Sequence, residues 1–383
     1  MSTSTPQFQI ISTTKVGSIP FVTIDNYEKY LKEVNTFLFC YRDLYEAQEF
    51  ILKYGKGYKK YFMMPEQSHH ILSMSLTEKI DDSCNKLTKS EFNITTRGGY
   101  RQLTIPQVID FSSQSGFDKI EGFCYSPLEK RKTSKKMKQQ RQIVIKKLKE
   151  MVEEKTKKGF TIEIIASIGL TGLEDDIQYV KDIIQTGIHE IVFDCEYIED
   201  KDKILNFIQK IKDLCNNIKM YVKLYSFNLS QIIQAALMNV SIWTNSINEF
   251  TLHGQAFVFP LSINQNNNFT SIDLFNTCYK DVVNDICVNG CECFSCKSNQ
   301  SRAYIHHLLL CHELTGTTLL SLHNFYYIHK LEQLINSLLL TDRSKLQQLA
   351  DFYKSLTPPP EFQKVKLYAG HRTTKENEGD DDD

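Results

Sequence analysis

Apolar positions in the middle of the chain alternate between two rhythms. IEIIAS (162–167) is a short β-branched run, and LEDDIQYVKDIIQTG (173–187) then carries apolar residues at helical spacing and closes on Gly187. IHEIVFDC (188–195) is strand-like again. DKDKILNFIQKIKDLC (200–215) puts Ile204, Ile208 and Ile211 on one helical stripe. IKMYVKLYSF (218–227) predicts a strand and NLSQIIQAALMNV (228–240) a helix, with Asn228 or Ser230 as its cap. SIWTN (241–245) is short and extended, and QAFVFPL (255–261) predicts a further strand. Upstream, DKIEGFCYS (118–126) precedes a long basic helix, so the alternation begins at least there. Strand–helix alternation at this spacing implies parallel βα units in an α/β fold. Doubly wound sheets and (β/α)8 barrels share the pattern, and no dinucleotide glycine fingerprint selects the former. A barrel needs about 250 residues, which residues 1–290 supply with insertions.

Beyond position 300 the rhythm becomes helical throughout. SRAYIHHLLLCHEL (301–314) predicts one helix, broken by Gly316, and TLLSLHNFYYIHKLEQLINSLLL (318–340) a longer one. The expected organisation is a barrel over 1–285 with an N-terminal β extension and an inserted C-terminal subdomain with closing helices over 286–356. A partly disordered acidic tail over 357–383 follows, containing TPPPEF and KENEGDDDD.

Composition narrows the picture. Lys and Arg number 45 against 46 Asp and Glu, so a nucleic-acid partner would have to use a local patch. No apolar run reaches the roughly 18 residues of a membrane span, and MSTSTPQFQI lacks a signal core, which predicts a cytoplasmic protein. The cysteines number 11, and most, such as Cys40, Cys124 and Cys195, are isolated in apolar runs, as expected of reduced thiols.

The exception is CECFSC. Cys291, Cys293 and Cys296 form C-x-C-x2-C, with a glycine just before to turn the backbone amides toward the sulfurs. Three thiolates and one imidazole suit tetrahedral zinc, and four protein ligands leave no open position for water, so such a site is structural. Cys287, His306, His307, Cys311 and His312 lie nearby as candidate fourth ligands. His323 is favoured, because it shares an apolar helical stripe with Leu319, Leu320, Tyr327, Leu331, Leu334 and Leu338 and so faces inward.

CECFSCKSNQSRAYIHHLLLCHELTGTTLLSLHNFYYIHKL resembles the zinc segment of the tRNA-guanine transglycosylases, with its C-x-C-x2-C, S-R-A-Y-[IL]-x-H-L and L-L-S-x-H-N blocks in order. HGQAFVFPL (253–261) is similar to that family's G-x-A-x-x-F strand. The resemblance implies a (β/α)8 barrel carrying a zinc subdomain, with Cys291, Cys293, Cys296 and His323 as ligands of one zinc ion. It also implies exchange of guanine at the tRNA wobble position, for queuine in eukaryotes. The family's catalytic residues are not matched. No D-S-G-G occurs, and the nearest glycine pair, in TTRGGYRQLT (95–104), follows Arg97. The nucleophilic aspartate block corresponds to VSIWTN (240–245), where Thr244 replaces the carboxylate between neutral neighbours. Displacement at a ribose carbon needs an anion to meet the oxocarbenium charge, and a hydroxyl without a base is a poor substitute. The G-G-L-A-V-G-E loop is changed to SIGLTGLEDD (167–176), with Glu174 as a relic.

These losses, together with ITTRGGYRQLTIPQV, resemble the family's non-catalytic accessory branch. That branch implies a heterodimer with a catalytic paralogue, contact with tRNA, and any peripheral location on the mitochondrial outer membrane arising through the partner or a surface patch. The alternative is an active transglycosylase using a displaced carboxylate, such as Asp194 or Glu196 in FDCEYIED at a strand's C-terminal end. One basic run, 129–160, has ten Lys or Arg between 130 and 150 and reads equally as a phosphate-contacting face or a solvated barrel helix over Ile143, Ile145, Leu148 and Val152. His69 and His70, beside Glu66, face opposite ways on a helix or a strand, which argues against a second metal site there.

Overall fold

The computed structural model describes residues 8–74, 92–124, 134–170, 175–194, 201–215, 218–224, 227–263, 265, 267–284 and 287–358. Glu174, Cys195, Glu196 and the acidic tail from 359 onward lie outside the described residues. No helix among the described residues is long and apolar enough to cross a membrane.

Strand β1 (Ile10–Thr13), helix α1 (Ile24–Tyr30) and β2 (Thr36–Cys40) open the fold, followed by the short helices α2 (Tyr41–Leu44), α3 (Gln48–Tyr54) and α4 (Gly57–Tyr61) and by β3 (His69–Ser73). An antiparallel pair, β4 (Phe92–Thr96) and β5 (Gly99–Leu103), leads into α5 (Ile105–Ser115). Thr104 and Gln107 cap that helix reciprocally, with a proline in its first turn and a left-handed Gly116 at its end. Four βα units come next. They are β6 (Lys119–Glu121) with α6 (Ser134–Lys157), β7 (Glu163–Gly169) with α7 (Asp175–Ile184), β8 (Glu190–Asp194) with α8 (Lys201–Leu214), and β9 (Lys219–Lys223) with α9 (Leu229–Leu237). After β10 (Ser241–Thr244) and α10 (Ser246–Leu252) come β11 (Gln255–Phe257), β12 (Ser271–Asp273), α11 (Phe294–Lys297), α12 (Arg302–Leu310), α13 (Leu314–Thr341) and α14 (Arg343–Lys354).

Strands β1, β2, β3, β6, β7, β8, β9 and β10 close a parallel barrel, sealed where Ile10, Ile11 and Ser12 of β1 pair with Ile242, Trp243 and Thr244. The (β/α)8 expectation is met. The N-terminal β extension is not a separate element among the described residues: Ile10–Thr13 is a barrel stave, buried on both faces as a parallel strand must be. Ile11, Leu38, Ile71, Ile165, Val192, Tyr221 and Trp243 fill the barrel, and the larger core lies between barrel and helices. QAFVFPL does not extend the barrel. Only Gln255–Phe257 forms a ladder, antiparallel to β12 in a separate ribbon.

A satellite core joins the ribbon to the last helices, through Ala256, Leu274, Cys287, Ile305, Leu309, Leu319 and Leu320. Helix α13 serves both cores, since Leu322, Phe325, Ile328, Leu331 and Ile335 pack on the barrel side. Gly316 does not separate two helices, as expected from sequence, but lies inside the first turn of α13. The break falls at 311–313, where His312 adopts a positive φ of 56°. Gly316 is needed for contact: a Cβ there would lie 2.9 Å from the Leu308 Cβ, so the glycine lets α12 and α13 approach.

Candidate metal centre and barrel mouth

The cysteine knuckle is shaped by its own backbone. Cys293 stands just before α11, and its sulfur accepts the Cys296 amide at 3.3 Å, an N-cap made by a thiol in place of a hydroxyl. Ser295 within that turn donates to the Leu319 carbonyl at 2.6 Å and ties it to α13. His323, fully buried on α13, points Nδ1 at the three sulfurs, 3.9 Å from Cys291, 3.4 Å from Cys293 and 3.5 Å from Cys296. The four ligand atoms all lie within 4.8 Å of one another. A tetrahedral zinc with Zn–S of about 2.3 Å and Zn–N of about 2.0–2.1 Å has S–N edges of about 3.6 Å, so the cluster is the size of that ion's coordination shell. Its donor set also fits: three soft thiolates and an imidazole complete four positions and leave none for a reacting water.

The surroundings fix which imidazole nitrogen faces the sulfurs. His323 Nε2–H donates to the Phe257 carbonyl at 2.8 Å, so Nδ1 is the nitrogen turned to the cluster, where its lone pair would bind a metal ion. Asn324, the next residue, accepts from the Phe257 amide and donates to the Gln255 carbonyl and the Thr251 hydroxyl. Adjacent side chains of α13 thus hold β11 and the candidate ligand His323 in one frame. Burial alone would push His323 down, but hydrogen bonds to the Cys291 and Cys296 sulfurs and the negative charge there outweigh it and lift the imidazole to about 10. Cys296, bonded by the Cys287, Cys291 and Cys293 thiols, is held far below the usual thiol range. Protons shared in this way sit where a cation would neutralise the thiolates. The other candidates for the fourth position do not belong to this set of four. Cys287 bonds the Cys296 sulfur from outside the set, His306 Nδ1 donates to the Leu274 carbonyl at 2.7 Å, and Cys311 is exposed, 3.8 Å from the His307 ring.

The C-terminal ends of the barrel strands carry a second cluster. Ser73, Glu121, Asp194, Lys223 and Thr244 are the last residues of β3, β6, β8, β9 and β10. Lys223 Nζ sits 2.5 Å from Glu121 and 3.5 Å from Asp194, with side chains 0%, 0% and 7% exposed. Ser73 donates to the same Glu121 carboxylate, and the buried Ser167 hydroxyl lies beside it. Burial raises Glu121, but Lys223 and the two hydroxyls overcome it and hold the carboxyl below its ordinary range. Burial likewise opposes the charge on Lys223, and Glu121 and Asp194 reverse that, so the ammonium is held charged. Thr244 is buried and neutral, donating to Ser246 Oγ at 2.8 Å while accepting the Ser246 amide at 3.0 Å. Its hydroxyl is thereby committed to the turn that starts α10. Asp194, expected as a displaced carboxylate, is locked to Lys223.

Sequence reading missed Glu121 and Lys223, whose polar side chains look like ordinary alternation in KIE and MYVK, and it missed Glu46. The glycine pair of TTRGGYRQLT forms the tip of the β4–β5 hairpin, and setting it against D-S-G-G-F-Q puts Thr96 at the aspartate position. Thr96 Oγ1 donates to Glu46 at 2.7 Å, and Gly98 N and Arg101 bond the same carboxylate oxygen at 3.2 and 3.5 Å. The basic helix divides its charges. Lys146 is exposed beside Glu150, whereas Arg141 is buried against Asp176 with its guanidinium 4.8 Å from the Tyr179 ring. Lys147 is buried as well. His69 is exposed and His70 buried against Phe39 and Tyr58, so the pair splits across β3.

A family model described as TGT, queuine tRNA-ribosyltransferase, matches residues 2–355. The human protein named queuine tRNA-ribosyltransferase accessory subunit 2 is 41% identical over 80 residues, 21% of this chain and 18% of that protein. The Trichoplax adhaerens protein of the same name is 45% identical over 65 residues, 17% of each chain. A Listeria welshimeri protein named queuine tRNA-ribosyltransferase is 42% identical over 63 residues, 16% of this chain and 15% of that one. The aligned segments therefore span under a fifth of these relatives.

Proposed function

Because the chain belongs to the queuine tRNA-ribosyltransferase family, we propose that it acts as the non-catalytic subunit of a heterodimer with a catalytic paralogue. In that role it supports exchange of guanine for queuine at the wobble position of tRNAs with GUN anticodons, in the cytoplasm. The carrying observation is the state of the barrel mouth. Thr244 stands where the family's nucleophilic aspartate is expected and its hydroxyl is used in the turn before α10. Attack at an anomeric carbon needs a free carboxylate near the reacting atom, and Asp194 and Glu121 both share Lys223. Cys291, Cys293, Cys296 and His323 would hold one structural zinc ion, which when bound supplies cross-linking of the knuckle to α13 and β11 and no chemistry on the substrate.

The test is queuine incorporation into tRNA by this chain alone, by the catalytic paralogue alone, and by the mixture. The accessory reading requires activity only in the mixture, or a large gain there. A second reading, an active transglycosylase with a displaced carboxylate, is favoured by one feature: Glu46 beside Thr96, a carboxylate 45% exposed. Turnover by the isolated chain, abolished in Glu46→Gln, would establish it instead.

A further inference from the structure

The seventh barrel strand in chain order is β9, and α9 begins just past its C-terminal end. The first turn of α9 opens on a cavity of about 240 Å³, lined by Phe227, Asn228, Ser230, Thr270, Tyr353 and Lys354 among others. Liquid water occupies about 30 Å³ per molecule, so the space suits a group larger than a few waters. Most of the polar atoms it offers are donors; the Gln231 side chain, an amide with both a donor and an acceptor end, also lies on the wall. Asn228 Oδ1 is already used as the helix cap, accepting from Gln231 N at 3.1 Å, so its amide N–H groups are what remain. Ser230 is only 5% exposed, yet its Oγ has no hydrogen-bond partner. The amides of the first helical turn have no intrahelical acceptor and lie at the positive end of the helix dipole. Lys354 brings an ammonium to the rim, 3.2 Å from Asp351. Among the described residues no acidic side chain lines the cavity. Two further polar groups are fixed as wall: Tyr353 donates to the Pro260 carbonyl and Thr270 to the Thr357 carbonyl.

We propose that this cavity binds a phosphate oxyanion, seated on the first turn of α9 with Ser230 Oγ donating to it and Lys354 closing the rim. A buried orphan hydroxyl beside free helix amides is unfavourable until an acceptor arrives, and an anion satisfies all of these donors together. The site faces the same end of the barrel as Thr244 and Asp194. Its phosphate would come from an RNA backbone or from a free phosphate ester.

The experiment titrates the full-length chain with inorganic phosphate, followed by ³¹P NMR line width, for the wild type, Ser230→Asp and Lys354→Gln. An aspartate in the first helical turn is compatible with the helix but places a carboxylate where the anion would sit. Lys354 is 54% exposed, so its variant leaves the fold alone. Binding should weaken about tenfold in Ser230→Asp, the loss of one charge-assisted hydrogen bond, and measurably in Lys354→Gln. A parallel titration with tRNA separates the sources. If a backbone phosphate fills the site, Ser230→Asp lowers tRNA affinity and reduces the log–log salt slope by about 0.7–0.9. If a free phosphate ester fills it, tRNA affinity is unchanged while phosphate binding is lost. Equal phosphate titrations for all three proteins, or none by the wild type, overturn the proposal. Should Ser230→Asp fail to fold, Lys354→Gln decides. Because the readout is binding by the isolated chain, failure here leaves the accessory-subunit assay untouched, and the converse holds.

Discussion

Replacing Lys223 by Met keeps the length and most of the volume of a fully buried side chain and removes its charge. Glu121, 2.5 Å from Nζ, and Asp194, 3.5 Å away, are then left together inside the barrel with the Ser73 and Ser167 hydroxyls as company. Removing one partner of a buried ion pair costs about 3–5 kcal/mol, because the remaining charge is neither solvated nor paired. The upper part of that range is expected here, since one ammonium serves two carboxylates. Urea unfolding followed by circular dichroism at pH 7 measures it. The pH dependence provides a sign test. In the wild type Glu121 is held below its unfolded value, so its contribution is present above that value and fades as pH falls through the lower folded one. Without Lys223 only burial and hydroxyl bonds act on Glu121, burial dominates, and the folded value rises above the unfolded one. Lys223→Met should therefore become more stable, not less, as the pH falls from about 7 to about 5. The double variant Lys223→Met, Glu121→Leu should recover part of the loss, Asp194 remaining without its ammonium. A single variant within about 1 kcal/mol of wild type at pH 7, with no reversal of pH dependence, would show that water screens the cluster and would refute its assignment as a buried pair.

Cys293→Ser should bring zinc content, measured by atomic emission, well below one ion per chain and speed amide exchange in α11 and the start of α13; undiminished zinc would remove Cys293 from the ligand set. Asn324→Ala loses bonds to Phe257 N, Gln255 O and Thr251 Oγ1, costing about 2–4 kcal/mol as two to three buried groups go unpaired. It should lower the melting temperature while keeping the metal, and loss of zinc in parallel would mean that Asn324 also positions the ligand. Glu332 accepts the Ile10 amide at 2.7 Å, and burial pushes its carboxyl up to about 7. Its folded value lies above the unfolded one, so stability is full below about 4.3 and declines as the pH rises through about 7. Glu332→Gln, which can still accept from Ile10, should gain about 1–3 kcal/mol at pH 8 and almost nothing at pH 4; equal effects at both values would contradict the assignment.

What could be read from the chain alone follows from the range of each interaction. The βα alternation was legible because parallel strands buried on both faces are apolar throughout, as in EIIASIG, while the helices between keep one polar face. The cluster of three cysteines and a histidine was legible because three of its atoms lie within six residues and the fourth shares a helical stripe with core leucines. Gly316 was misread because local propensity counts glycine as a break worth about 1 kcal/mol, whereas close packing against Leu308 on another helix favours it. The basic run left open a phosphate-contacting face or a solvated helix, and neither reading covers Arg141, which is buried because its partner Asp176 lies 35 residues on. The mouth shows the limit most clearly. The absence of a carboxylate at position 244 is a local fact, visible in WTN. What the carboxylates at the mouth do instead depends on Glu121 and Lys223, 102 residues apart, and on Asp194 between them in sequence. Only closure of the barrel brings the ends of β6, β8 and β9 around one ammonium. The two observations make different claims: Thr244 puts no carboxylate at the position where the family resemblance expects one, while the Lys223 cluster shows that the neighbouring anions are held by the fold itself. Restoring an aspartate at 244 would therefore meet the first condition and leave the second, and base exchange by Thr244→Asp alone would show that the cluster opens when substrate arrives.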